Sequence, residues 1–193
     1  MKLSLVTAPA DPAITLDDVK LDLRIGTDVD EVEDDLLERF ISAATGLIDG
    51  RDGWLGRALI TQEWALILDC FPSCDKINIP LPPLQSVESV VYIDADGEEQ
   101  TLDEDEYRVV NSTEPGFIEA VNSWPQTKDV AAAVTISFIA GYGDADTDIP
   151  ETIKQWLRAC VGEFYMNREI SVLGVSIAQV PHYQNMLENF RVR

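Results

Sequence analysis

Histidine occurs once in the 193 residues, at His182, and cysteine three times, at Cys70, Cys74 and Cys160. A single histidine, set in a proline-flanked tail, leaves few ways to assemble a Ser–His–Asp or Cys–His catalytic set. "CFPSC" spaces Cys70 and Cys74 as C-x3-C, but no second ligand pair follows and His182 lies far along the chain. A zinc site needs four clustered ligands, so no metal is expected and the thiols read as reduced and structural. No G-x-S-x-G, Walker loop or G-x-G-x-x-G occurs, and neither a catalytic residue nor a cofactor is assigned. The chain also lacks an apolar run approaching the roughly 20 residues that span a bilayer. The opening "MKLSLVTAPADPAITLDD" is too short and too interrupted by Pro9 and Pro12 for a secretory signal. A soluble protein made in a cytoplasm, with no membrane partner, is the expectation.

Cations are the scarcest resource: 14 Lys and Arg stand against 35 Asp and Glu, a net charge of −21. Proteins that bind nucleic acid gain affinity by neutralising phosphates with Lys and Arg. The only basic cluster here is the terminal "RVR", Arg191 to Arg193, which argues against specific DNA binding. An acidic surface repels DNA and also keeps a protein soluble; composition alone does not choose between those uses.

What the chain does have is 46 % hydrophobic residues, enough for a proper core. "ITLDDVKLDLRI" offers Thr15 as an N-cap with Asp18 three residues on, predicting a short helix bearing Leu16, Val19, Leu21 and Leu23. In "EVEDDLLERFISAATGLIDGR" the apolar residues Leu36, Leu37, Phe40, Ile41, Ala44, Leu47 and Ile48 recur at helical spacing. The acidic first turn suits the helix dipole, and Gly50 is placed to stop the helix. The N-terminal third therefore reads as helical.

From about Leu59 the period changes to two. "ITQEWALILDCF" puts Trp64, Leu66 and Leu68 on one face; "VESVVYI" puts Val87, Val91 and Ile93 on one side; Asp96-Gly97 signals a tight turn. "EYRVV", "GFIEAV" and "AVTISFIAGYG" follow, the last with Val134, Ile136 and Phe138 alternating with Thr135 and Ser137. Residues 59–142 thus predict an antiparallel β-region of five or six strands. After Pro150, tolerated at a helix start, "PETIKQWLRACVGEFYMNRE" returns to helical spacing with Ile153, Trp156, Leu157, Cys160, Val161 and Phe164. The tail from about 171 is weakly patterned.

Three stretches invite functional readings. "PLPPL" (Pro80 to Leu84) looks like a polyproline ligand, but it lacks the flanking base and disordered setting of one. Its neighbours Ile77, Ile79, Leu81 and Leu84 run into a strand, and proline suits a strand start or sheet edge, so the structural reading is preferred. "AGYGDAD" follows a strand with glycines, but Asp144, Asp146 and Asp148 stand where a phosphate would need donors. "DADTDIPE" alternates acids like an EF-hand, yet its sixth position is Ile149 and its twelfth Gln155, where Gly and Glu are required.

Taken together, "ITLDDVKLDLRI", "GRALITQEW", "IPLPPLQSVESVVYIDADGEEQTLDEDEYRV", "SWP", "FIAGYGD", "IPETIKQWL" and "YMNRE", in this order and spacing, resemble the head–tail connector (adaptor) family of tailed bacteriophages and gene transfer agents. The resemblance covers approximately residues 3–170. It implies an α+β fold: a small α-helical bundle of N-terminal helices and a C-terminal helix, a β-rich insertion (59–142) and a C-terminal arm (171–193), all in one adaptor domain. It implies a structural protein, not an enzyme, at the neck of a virion or phage-like particle, present in the host cytoplasm during assembly. Its implied partners are copies of itself in a ring of twelve, a portal protein, and a stopper or tail-completion protein, with DNA passing through the channel without specific binding. The arm residues Phe190, Arg191, Val192 and Arg193 are the implied portal-docking group. Two other classes remain beside this reading: a DNA-packaging or processing factor with enzymatic activity, and an acidic protein-interaction module.

Overall fold

A computed structural model describes residues 1–26, 31–167 and 185–192. Most of the expected arm, 171–184, and its last residue, Arg193, lie outside the described residues. The α+β expectation holds: three helices and two antiparallel sheets are present among the described residues.

The chain begins with a strand, β1 (Lys2–Thr7), and not directly with a helix. This corrects the all-helical reading of the N-terminal third. "KLSLVT" is only six residues long and pairs with β2 (Gln62–Leu68), across a separation that local patterning does not register. Helices α1 (Leu16–Leu23) and α2 (Glu31–Ile48) follow. Thr15 caps α1 as expected, its hydroxyl accepting the Asp18 N–H at 3.1 Å; such a cap contributes about 1 kcal/mol. Helix α3 (Glu151–Met166) starts after Pro150 and packs on both.

The helices share one core. Val19 of α1, Leu37, Ile41, Ala44 and Ile48 of α2, and Ile153, Leu157 and Val161 of α3 are all buried there. The i, i+4 spacing of the α2 and α3 sets brings them onto facing stripes. Phe40 and Phe164 meet at 5.9 Å between ring centroids, and Cys160 packs against the same core. Two members of the expected apolar faces fall outside it, since Leu21 and Leu47 are exposed.

The β-region holds seven strands, more than expected, in two sheets. The larger has the order β1-β2-β8-β4-β5, with β4 (Leu84–Ile93), β5 (Glu99–Thr101) and β8 (Val134–Ala140); the smaller is β3-β7-β6, with β3 (Lys76–Asn78), β6 (Tyr107–Val110) and β7 (Phe117–Ala120). Strands β3 and β5 have three residues each, too few to express a period. Central β8 alternates as read, burying Val134, Ile136, Phe138 and Ala140. Trp64 lies opposite Phe138 and Leu66 opposite Ile136. Ile77, Ile118 and Tyr107 of the smaller sheet complete this second core.

Strand β4 departs from its expected face. Bulges between Leu84 and Ser86 and between Val87 and Ser89 reset the register against β8. Each bulge adds a residue and shifts the alternation, so the core takes Leu84, Val87, Val90 and Tyr92 instead of Val91 and Ile93. The proline stretch is structural: Ile79 and Leu81 are buried, and the Pro82 and Pro83 carbonyls accept the Ala58 and Gly141 N–H groups at 3.3 and 3.0 Å. Gly141 sits at φ 135°, with the Ile60 carbonyl 2.6 Å from where a Cβ would stand. No larger residue fits there.

Candidate functional site

The described end of the chain returns to the helical core and meets the loop that joins it to the β-region. Loop 49–57 folds back on the end of α2: Gly50 N–H donates to the Arg57 carbonyl at 2.6 Å, Trp54 to Leu47 at 2.9 Å, and Leu55 to Ile48 at 3.3 Å. Asp49 anchors it from beneath. Its carboxylate accepts the Leu59 N–H at 2.8 Å and the Gln62 amide at 3.2 Å, while Gln62 accepts the Trp64 indole N–H at 3.1 Å. Burial raises the Asp49 carboxyl above its ordinary value, against the opposing pull of the Leu59 and Gln62 bonds.

On this loop Arg57 is buried, only 6 % exposed. Its Nε donates to the Phe190 carbonyl and its Nη2 to Glu114, in the turn between β6 and β7, while Nη1 is buried without a partner. Burial raises the Tyr142 hydroxyl and the nearby Arg57 charge opposes that rise. One guanidinium therefore ties together three parts of the chain: the loop, the β6–β7 turn and the tail.

The tail is held by more than Arg57. Leu187 is buried in the helical core and Phe190 packs against it. The Val192 N–H donates to the Leu55 carbonyl at 3.0 Å. The Arg191 guanidinium lies over the Trp54 ring, 4.8 Å from its centroid, a contact worth about 0.5–1 kcal/mol at an exposed site. Beside it a groove of about 560 Å³ opens between Leu47, Trp54 and Trp156 on one wall and Leu187, Glu188 and Arg191 on the other.

Phe190, Arg191 and Val192 are thus brought together, on their own chain; Arg193 lies outside the described residues. Sequence reasoning missed their seat, Trp54, Arg57 and Glu114. The available signal was Arg57 itself, a lone cation before the apolar run "ALI" in a chain that has few cations.

The remaining expected features resolve simply. Among the described residues, no group of three or more His, Cys, Asp or Glu is placed to hold a metal, and no helix is long and apolar enough to cross a membrane. In the acidic run, Asp148 accepts the Ala145 N–H and Asp146 faces Lys154 at 3.6 Å. Lys20, Lys76, Lys154 and Arg158 likewise pair with acids of their own chain, so no basic patch forms from them. Cys70 and Cys74 are exposed, and the half-buried Cys160 thiol is pushed up to about 11 by desolvation.

Residues 13–124, more than half of the chain, match the family model described as "Phage gp6-like head-tail connector protein". No curated protein matches the chain by sequence. Among solved structures, it is similar to a chain in the virion of a native gene transfer agent particle, with a TM-score of 0.81 at 26 % identity. A chain in the neck of an empty gene transfer agent particle, computed with C6 symmetry, gives 0.80 at 26 %. A chain in the neck of a native particle, computed with C12 symmetry, shares the fold at 0.74 and 24 %. Each likeness covers 100 % of this chain and 97 % of the other.

Proposed function

This chain belongs to the phage gp6-like head–tail connector family, and we propose that it works as one subunit of a ring at the neck of a phage or phage-like particle. Its role is structural: it connects the head to the tail. The observation that carries this reading is the likeness over the whole chain to subunits of gene transfer agent particles, one of them in the neck. In the proposed arrangement twelve copies form the ring, matching the symmetry used for the native neck. One face meets the portal and the other a stopper or tail-completion protein.

The whole chain acts as one adaptor domain, in which 59–142 is a β-rich insertion and 171–193 an arm whose Phe190, Arg191, Val192 and Arg193 dock on the portal. The subunit performs no catalysis. DNA passes through the ring without specific binding: the net charge of −21 repels phosphates, and many of the few cations are engaged within the subunit.

Electron microscopy of intact particles carrying a labelled copy of this chain tests the proposal. A twelvefold ring of labelled density between portal and tail is the expected result. Label on the capsid shell or the tail tube, with the neck unlabelled, would overturn it.

A further inference from the structure

The portal-docking group and the self-docked tail are the same residues, and they cannot occupy both places at once. We infer that Leu187–Val192 is a closed clasp, held on its own chain by Leu55, Arg57 and Trp54, which must leave that seat before it can dock on a portal. This rests on the proposed docking role of the arm and adds a competing internal partner to it.

Three features describe a contact made to open. First, the seat does not depend on its occupant: loop 49–57 is closed by its own bonds, Gly50 to Arg57, Trp54 to Leu47, Leu55 to Ile48 and Gly56 to Gly53. Second, the clasp's polar holds are few. They are the Val192–Leu55 bond, the Arg57 bond to the Phe190 carbonyl, and the Arg191–Trp54 stack at a rim where Trp54 is 39 % exposed. Arg57 keeps a second acceptor, Glu114, when Phe190 departs. Third, α3 need not move. Residues 168–184 separate Asn167 from Asn185, and a chain of that length spans at most about 60 Å.

Opening exposes Leu187 and Phe190, so the closed form dominates in the free subunit and the apparent affinity for a portal is reduced by the fraction that is open. A subunit that keeps its arm folded until it meets a portal presents no loose apolar end to other copies.

The seat supplies its own test. A Cβ built on Gly56 would stand 3.7 Å from the Val192 Cβ, within the roughly 3.5–4.5 Å that a disulfide needs. Gly56→Cys with Val192→Cys, in a full-length chain carrying Cys70→Ser, Cys74→Ser and Cys160→Ala, should cross-link under mild oxidation. The oxidised protein should bind purified portal rings at least about tenfold more weakly than the same protein reduced. Any strain at Gly56, whose φ is 64°, is common to both forms and cancels. Trp54→Ala, which leaves the arm untouched, should tighten portal binding a few-fold and speed amide exchange at Val192. Failure to cross-link, or equal binding by oxidised and reduced protein, overturns the clasp. Removing Asn189 to Arg193 separates the two readings: unchanged portal binding defeats the docking role and the clasp with it, whereas lost binding together with redox-insensitive binding defeats the clasp alone.

Discussion

The β-region and the helical region are closed by different physics. The β-core is held by apolar alternation: Leu66, Val90, Ile118, Ile136 and Phe138 are fully buried between two sheets whose ladders satisfy the backbone. The helical region has an equally apolar centre, but its edge is fastened by side chains reaching across the chain. Asp49 reaches Leu59 and Gln62, and Arg57 reaches Glu114 and Phe190. An apolar interface formed by ladders opens as a whole. A fastening of a few polar bonds opens locally, at a free energy well below the global one. For a subunit that sits between a head and a tail, this division puts the rigid platform in the sheets and the adjustable contact on the helices.

The largest expected effect tests the platform. Phe138→Ala removes a fully buried ring at the centre of β8, and losses of about 3–5 kcal/mol are typical of such cavities. Urea unfolding should show that loss with both regions melting in one transition. If helical circular dichroism persists after the tryptophan signal of the sheets has gone, the two regions are independent and the comparison must be redrawn as two domains.

A smaller, local effect is expected from Arg57→Ala. Breaking a fully buried ion pair costs about 3–5 kcal/mol, but the Glu114 side chain is 47 % exposed and regains water when the guanidinium goes. A global loss of about 1–2 kcal/mol is therefore expected, with amide protection lost first at Val192. Uniform loss of protection across β8 instead would show that the fastening is part of the core and not an edge device.

How much of this was legible in the sequence follows the same divide. Helix α3 and strand β8 were readable because their apolar periods are long and unbroken. The faces of β4 were not, because its two bulges are set by the strand it pairs with, β8, some fifty residues away. Strand β1 was lost for a similar reason, since its identity comes from Leu66 and Trp64 opposite it. The tail residues Phe190, Arg191 and Val192 were singled out by composition and by family resemblance, but their seat was not. Contacts such as Arg57 to Phe190 join positions 133 apart in sequence, and a single charged residue carries no periodicity that would announce them.

The smallest effects lie in two aspartates whose pH responses should run in opposite directions, one in each region. Asp94, in the hairpin after β4, is held below its ordinary 3.8 by the Glu98 N–H, with the Gln100 amide next in weight. A carboxyl whose folded pKa is depressed contributes stability above its unfolded value, and that contribution is lost as pH falls through the folded pKa. Asp49 is the reverse: burial raises it above 3.8, so the folded state binds the proton more tightly and stability rises as pH falls from the raised value toward 3.8. Asp94→Asn should thus lessen the acid-side loss seen in urea midpoints below about pH 4. Asp49→Asn keeps an oxygen for the Leu59 N–H and removes a buried charge. It should leave neutral-pH stability equal or slightly higher, while abolishing the acid-side gain. Parallel pH profiles for the two variants would mean that both aspartates are solvated alike, and the contrast between a ladder-closed and a side-chain-closed region would fail at its most sensitive point.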